Sequence, residues 1–288
     1  MPELPEVETM ARGLRPTLTG AKLGQVEVID PKLLEGSGMS ADRFVERVSE
    51  SVVSHVGRRG KWLVWTLAGQ RGLVVIQPRM TGGFWLIEPD RPHHVRILFP
   101  LPELGKTVWL TDARRLGRVL WFADQTQASA AFARSHGPDA LEIERDDLAA
   151  RLARTARGLK PTLMDQKVLA GIGNIYADEI CFAARIHPET PANTLSARQV
   201  DRLHAAISAI LLRAIQAEGS SFDAGYRTVL GLEGGFLAEN AMYGRGGQPC
   251  PGCGEPILKT RIAGLIGRPT YFCPICQPPP VPQTMRQR

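Results

Sequence analysis

Six residues at the start of the chain, Met1-Pro2-Glu3-Leu4-Pro5-Glu6, put an amine nucleophile beside two carboxylates. Residue two is small, so removal of Met1 is expected, and it leaves Pro2 with a free secondary amine. A terminal amine titrates near about 7.7–8.0, against about 10.4 for lysine, so part of it is neutral at pH 7. A neutral amine can attack an electrophilic carbon and form an imine-type intermediate. With proline the product is a permanently cationic iminium, which acts as an electron sink. Glu3 and Glu6 favour the cationic amine and a helix N-terminus favours the neutral one. The same six residues also read as no more than a capped helix with an incidental proline.

Metal chemistry is indicated at the other end. Cys250-x2-Cys253 and Cys273-x2-Cys276 are two C-x-x-C pairs 19 residues apart. Four thiolates at this spacing match a closed tetrahedral zinc site. With no position open to water, one zinc held there is structural. Lys259, Arg261 and Arg268 lie between the pairs and make a basic hairpin suited to phosphate, or simply a solvated face. His187-Pro188-Glu189 followed by Pro249-Cys250-x-x-Cys253 superficially matches a zinc-deaminase pattern. That reading leaves Cys273 and Cys276 idle and separates its halves by a long helix and a glycine-rich loop. Cys181 reads as a small buried apolar residue.

Gly171-Ile172-Gly173-Asn174 is a tight turn into a helix, able to hold a phosphate on its N–H groups or to serve as a plain corner. It lacks the third glycine and preceding strand of a dinucleotide fingerprint, so no nucleotide cofactor is implied. Arg58-Arg59-Gly60-Lys61, Arg79-Met80 and Asp112-Ala113-Arg114-Arg115-Leu116 place cations at strand ends beside apolar wedge candidates, a pattern suited to holding and distorting nucleic acid.

The elements that must position these groups fall into two kinds. Leu4, Val7, Met10, Ala11 and Leu14 repeat at helical spacing, predicting a helix over about 5–14 with acidic residues in its first turn. Short β-type runs follow at 23–30, 52–57, 61–67, 72–77, 83–88, 95–99, 106–111 and 118–122, interrupted by a helix at 41–48. Such a series argues for an antiparallel sandwich or barrel. From about Gln125 the pattern turns helical, with candidates at 128–134, 145–157, 160–166 and 175–184. A long helix opens on the Ser196/Gln199 capping box and ends at Gly219. A glycine-rich loop, a two-strand module over about 248–277 and a proline-rich, disordered tail complete the chain.

The full chain has 288 residues, a formal charge of +6 and a pI near 9.3, which favours a polyanionic partner. No apolar run approaches the roughly 20 residues of a membrane span, and the start lacks a signal-peptide stretch. Cysteine usage fits a reducing, intracellular compartment.

Met1-Pro2-Glu3-Leu4-Pro5-Glu6-Val7-Glu8-Thr9, Gly60-Lys61, Asp165, Gly171–Tyr176, Tyr243-Gly244-Arg245 and the two C-x-x-C pairs together resemble the bacterial formamidopyrimidine-DNA glycosylase family, in order and spacing, over residues 1–277. The resemblance implies an α+β multidomain protein. It would have an N-terminal β-sandwich flanked by helices over 1–125 and a helix-two-turn-helix domain with a lesion-capping loop over 126–240. A zinc-finger hairpin over 241–277 and a disordered tail over 278–288 would follow. The implied activity is that of a DNA glycosylase and AP lyase that removes 8-oxoguanine and formamidopyrimidines from damaged double-stranded DNA. By the same resemblance Pro2 is the nucleophile, Glu3 the general acid/base and Glu6 its orienter. Lys61 is the phosphate-contacting lysine, and Arg268 serves the second elimination. Lys160, Asn174 and Tyr243 match DNA-backbone contacts, and Met80, His94, Arg114 and Leu116 complete the DNA-facing set. A monomer in a bacterial cytoplasm, associated with the nucleoid through DNA, is implied.

Three departures bear on specificity. Leu116 stands where the family commonly has a phenylalanine wedge. Gln77 and Pro78 replace the usual histidine and its neighbour, and Pro92 replaces the first of a histidine pair. An endonuclease VIII-like enzyme for oxidised pyrimidines, or a non-catalytic damaged-DNA-binding protein, is the alternative at this point.

Overall fold

The structure is a computed structural model that describes residues 2–221 and 225–280. It divides into two compact units: Met1–Ser135 with Ala214–Leu237, and His136–Arg213 with Ala238–Arg288. These divisions differ from the expected boundaries at 125 and 240. The glycine-rich segment after the long helix packs with the N-terminal elements instead of the helical ones. Expectations for Met1, Phe222–Ala224 and the tail from Val281 onward fall outside the described residues.

In the first unit, α1 (Leu4–Leu18) is followed by β1 (Glu27–Val28), α2 (Ala41–Val48), β2 (Val53–Arg59), β3 (Trp62–Leu67), β4 (Leu73–Gln77), β5 (Gly82–Trp85), β6 (Val95–Leu101), β7 (Lys106–Asp112), β8 (Arg118–Phe122) and α3 (Gln125–Ser135). The strands form two antiparallel four-stranded sheets, β1-β6-β7-β5 and β2-β3-β4-β8. Strict alternation along β6 buries Val95, Ile97, Phe99 and Leu101, the period-two pattern of a strand with one face to the core. Trp65 of β3 meets Phe99 of β6 and Phe84 of β5 at ring-centroid distances of 4.9 and 5.6 Å. One shared core therefore joins the sheets, and the apolar stripe of α1 (Val7, Met10, Ala11, Leu14) closes onto it. β4 is buried along four successive residues, Leu73–Ile76, because Phe132 and Ala128 of α3 cover its other face together with Trp62.

The expected strand at 23–30 shrinks to two paired residues. The N–H groups before it go to scattered acceptors: Leu23 to Ser51 O, Gly24 to Pro100 O and Val26 to the Ser49 hydroxyl.

The second unit carries α4 (Arg145–Ala153), α5 (Leu159–Met164), α6 (Asn174–Ala183), most of α7 (Ala197–Gln216), and the hairpin of β9 (Leu258–Thr260) and β10 (Thr270–Phe272). The turn between α5 and α6 is built by Gln166. Its amide nitrogen donates to Met164 O and Ile172 O, both at 2.9 Å, while its oxygen accepts the Gly171 N–H at 3.0 Å. Gly171 has φ +119°, so glycine is required there. No helix among the described residues is long and apolar enough to cross a membrane.

Candidate active site and metal centre

The N-terminus is assembled by the first turn of α1. Glu3 is the N-cap and forms a capping box with Glu6. The helix starts one residue earlier than predicted, so Pro5 occupies its second position, which also needs no N–H partner. Pro2, Glu3 and Glu6 are all buried. The Glu6 carboxylate divides its oxygens: Oε2 accepts the Glu3 N–H at 2.7 Å and Oε1 the Ser220 N–H at 2.8 Å. One side chain therefore holds both the residue after Pro2 and the start of the glycine-rich loop. Gly219 makes this approach possible. Its φ is +83°, and a β-carbon there would lie 2.9 Å from Glu6 Cγ and Oε1.

The far side of the loop is held as well. The Ser221 hydroxyl donates to Tyr226 O and accepts the Gly234 N–H, both at 2.8 Å, and the Tyr226 hydroxyl donates to Glu218 O at 3.1 Å. Burial and the nearby Glu6 carboxylate raise the Tyr226 phenol above its ordinary range, so it stays protonated. Val229 packs so closely on α1 that a β-carbon on Gly13 would lie 2.5 Å from its Cγ2.

Lys61 sits with Gly60 in the two-residue turn between β2 and β3, where Arg59 and Trp62 pair across the ladder. Gly60 has φ +55°, and the Lys61 side chain is mostly covered. Arg58 ties the turn to α1 through Glu8 at 3.1 Å.

Met80 and the Arg114–Leu116 segment lie in separate loops that one buried carboxylate joins. Asp112 accepts from the Thr81 hydroxyl, from the Arg114 N–H at 3.2 Å and from the Gly117 N–H at 2.7 Å. The Arg114 N–H is shared with Thr81 Oγ1 at 3.0 Å. The structure thus brings these loops together and leaves Met80 and Leu116 each 37% exposed. His94 stacks edge-on against His93 and lines a cavity of ≈ 210 Å³ with Thr81, Trp85, Tyr226 and Arg227. Burial, then the neighbouring His93 and arginines, lower its pKa, so it is neutral at pH 7.

In the second unit the cysteines converge. All four Sγ atoms lie within 4.8 Å of one another, with Cys253–Cys273 at 3.4 Å and Cys250–Cys276 at 3.9 Å. A tetrahedral ion with metal–sulfur bonds of about 2.3 Å needs sulfur–sulfur separations near about 3.8 Å, so the set fits. The Gly252 and Cys276 N–H groups point at Cys250 and Cys273 Sγ, each at 3.4 Å, and would support thiolate charge. His187 takes no part in this cluster. Its Nδ1 accepts the Glu189 N–H at 3.2 Å and its ring stacks on Phe272, so the deaminase-like arrangement is not formed.

Lys160 requires a correction. Expected at the DNA backbone, it is wholly buried and pairs with the equally buried Asp178 at 2.8 Å. Its ammonium also donates to Pro269 O at 2.8 Å and to the Thr270 hydroxyl at 3.1 Å, while Asp178 accepts the Tyr271 N–H at 3.1 Å. Burial raises the Asp178 carboxyl to about 7 against the pull of Lys160. The pair therefore grips the backbone of 269–271, beside Arg268, and cannot offer its charge to a phosphate. Lys160→Met should destabilise the protein by about 3–5 kcal/mol, because Asp178 would be left buried and unpaired. Adding Asp178→Asn should recover part of that loss. Thermal melts of the single and double variants measure both effects, and strictly additive losses would count against the pairing.

Glu179, next in the helix, accepts the N–H groups of Ala241, Met242 and Tyr243 at 2.8, 2.9 and 2.8 Å and so holds Tyr243 in place. Tyr243 stacks edge-on against Tyr271. Asn174 opens α6, and among the described residues its side-chain oxygen is buried without a hydrogen-bond partner. Arg268 is exposed. Residue patterns do not reveal the partners that Asp112, Asp178, Glu179 and Gly219 meet. Two adjacent acids inside the apolar stretch Ile175–Cys181 were the available signal, since buried carboxylates require partners.

Comparison with known proteins bears on the whole chain. A family profile described as the formamidopyrimidine-DNA glycosylase N-terminal domain matches residues 1–119, and one for the H2TH domain of the same enzyme matches 136–224. The chain is 40% identical over 280 residues to a formamidopyrimidine-DNA glycosylase of Thermus thermophilus, covering 96% of this chain and 98% of that protein. It is 37% identical to that of Symbiobacterium thermophilum, covering 97% and 90%. Among solved structures, the MutM (Fpg) protein of Thermus thermophilus aligns at a TM-score of 0.83 with 38% identity, covering 96% and 98%. The Lactococcus lactis Fpg in complex with abasic-site DNA aligns at 0.86 with 29% identity, covering 96% and 100%.

Proposed function

The chain belongs to the formamidopyrimidine-DNA glycosylase family, and from that premise we propose that it excises oxidised purines from duplex DNA and cuts the backbone at the resulting site through its N-terminal proline. The reading rests on one observation above others: the Glu6 carboxylate joins the residue after Pro2 to the loop at Ser220. A nucleophile and a base-covering loop held by one group suit a reaction in which an extruded nucleotide must be enclosed before attack.

After Met1 is removed, the Pro2 nitrogen attacks C1′ of the damaged nucleotide and the N-glycosidic bond breaks; its electron pair leaves with the base, which takes up the proton that the Pro2 nitrogen releases. Glu3 protonates the sugar ring oxygen, so the ring opens to an iminium that links Pro2 to C1′. The cationic iminium acidifies C2′–H. Loss of that proton expels the 3′ phosphate, and a second elimination expels the 5′ phosphate. Lys61 holds a phosphate during these steps, Asn174 and Tyr243 contact the backbone, and Arg268 serves the second elimination. Met80, Arg114 and Leu116 fill the space that the extruded base leaves. The four cysteines hold one structural zinc that fixes the β9–β10 hairpin, and the protein works as a cytoplasmic monomer on DNA. Lysine and N-terminal amines share imine chemistry, so the test must locate the adduct. Borohydride treatment with 8-oxoguanine duplex should yield a covalent complex whose peptide map places the DNA on Pro2. A map that places it on a lysine would overturn the assignment.

A further inference from the structure

The connection between β9 and β10 places glycine where each of its tight turns needs it, and carries Ile266 at its tip. Two successive turns shape the segment, with the Leu265 N–H donating to Ile262 O and the Arg268 N–H to Leu265 O. Gly264 and Gly267 take φ values of +83° and +70°, which side-chain-bearing residues rarely adopt. Ile262 and Leu265 turn inward and are buried, so the loop is anchored. Ile266 is 98% exposed, whereas no other large apolar residue among the described residues exceeds 63%.

An exposed isoleucine on a surface is ordinary when scattered. This one stands at the tip of an anchored double turn, in a connection that also carries Arg261 and Arg268. Lys259, Arg261 and Gly267 line a single groove, and Arg268 follows two residues after the tip. An apolar point amid positive charge fits a polyanion that also offers an apolar surface. Duplex DNA does so, with phosphates flanking the sugar walls and base edges of its grooves. The minor groove, about 6 Å wide, admits one aliphatic side chain, and minor-groove proteins use isoleucine among their wedges. We propose that Ile266 is a minor-groove contact of this chain, seated on the sugar walls beside the phosphate that Arg268 engages. The proposal rests on the reading of the chain as a DNA-acting enzyme.

Zinc-loaded full-length protein with Ile266→Ser is compared with wild type for equilibrium binding to a duplex bearing a tetrahydrofuran abasic analogue and to the intact duplex, at several salt concentrations. Burial of one isoleucine predicts a Kd raised roughly tenfold or more on the abasic duplex. The salt slope should be unchanged, because no phosphate contact is removed. Arg268→Ala should instead lower that slope by about one. Ile266→Met, which keeps an aliphatic tip, should bind like wild type. An unchanged Kd for Ile266→Ser overturns the proposal, and so does an altered oligomeric state with unchanged DNA affinity, which would mark the tip as a protein contact. Binding alone is read, so failure of the wild type to cleave would count against the catalytic reading and leave this comparison decisive.

Discussion

Protein that keeps Met1 is expected to excise oxidised purines at least about 10⁴-fold more slowly than processed protein, and to give no borohydride-trapped adduct. In the unprocessed chain the Pro2 nitrogen belongs to a peptide bond, and its lone pair is delocalised into the carbonyl. It can neither attack C1′ nor form an iminium. Pro2 is buried just ahead of the N-cap of α1. Binding should change far less than cleavage, since the phosphate contacts are assigned to Lys61, Arg268, Asn174 and Tyr243. Intact-mass measurement of the N-terminus, single-turnover excision and equilibrium binding on the same samples separate these effects. Excision at the processed rate by protein of verified unprocessed mass would remove Pro2 from the mechanism.

Metal removal is the second large effect. Chelation, or Cys250→Ser, is expected to lower incision and DNA affinity by at least about a hundredfold. Apart from the cysteines, the buried apolar residues of the hairpin module are few, among the described residues chiefly Met242, Ile257, Ile262, Leu265, Tyr271 and Phe272. Such a core contributes little beside the apparent ~10–16 kcal/mol that zinc supplies when zinc-finger peptides bind it. Loss of the metal frees Arg268 and the Ile266 tip, and leaves the Lys160–Asp178 pair gripping an unfolded strand. Metal content by mass spectrometry, with binding measured before and after zinc is restored, is the check. Full affinity in metal-free protein would show that the cysteines hold the hairpin without an ion.

Both ends of the chemistry were legible in the sequence because they are local. A proline at position two beside glutamates and two C-x-x-C pairs are patterns of spacing, and spacing survives folding. The strands of the sandwich were legible for the same reason, through the period-two pattern that places Ile97 and Phe99 in the core. Long-range partners were hidden. Nothing near Lys160 in the chain announces that its ammonium will meet the carbonyl of Pro269, more than a hundred residues later. Its expected place at the DNA backbone came from resemblance alone, which carries no information about burial. Asp112 was hidden among basic neighbours, and its work of joining the Thr81 turn to Gly117 appears only once β5 and β7 pair. Gly219 looked like a helix terminator and is also the space Glu6 needs.

The shared carboxylate of Glu6 limits how such enzymes can be recombined. A loop grafted from a relative to alter which lesion is accepted would enter the fold at this point. Here its entry is spliced to the reaction centre at two consecutive positions. The first must be glycine, because a β-carbon would strike Glu6. The second must keep a backbone N–H, which excludes proline and little else. Grafts that respect this two-residue seam can vary freely beyond it, and grafts that ignore it should change the catalyst while aiming to change only its diet.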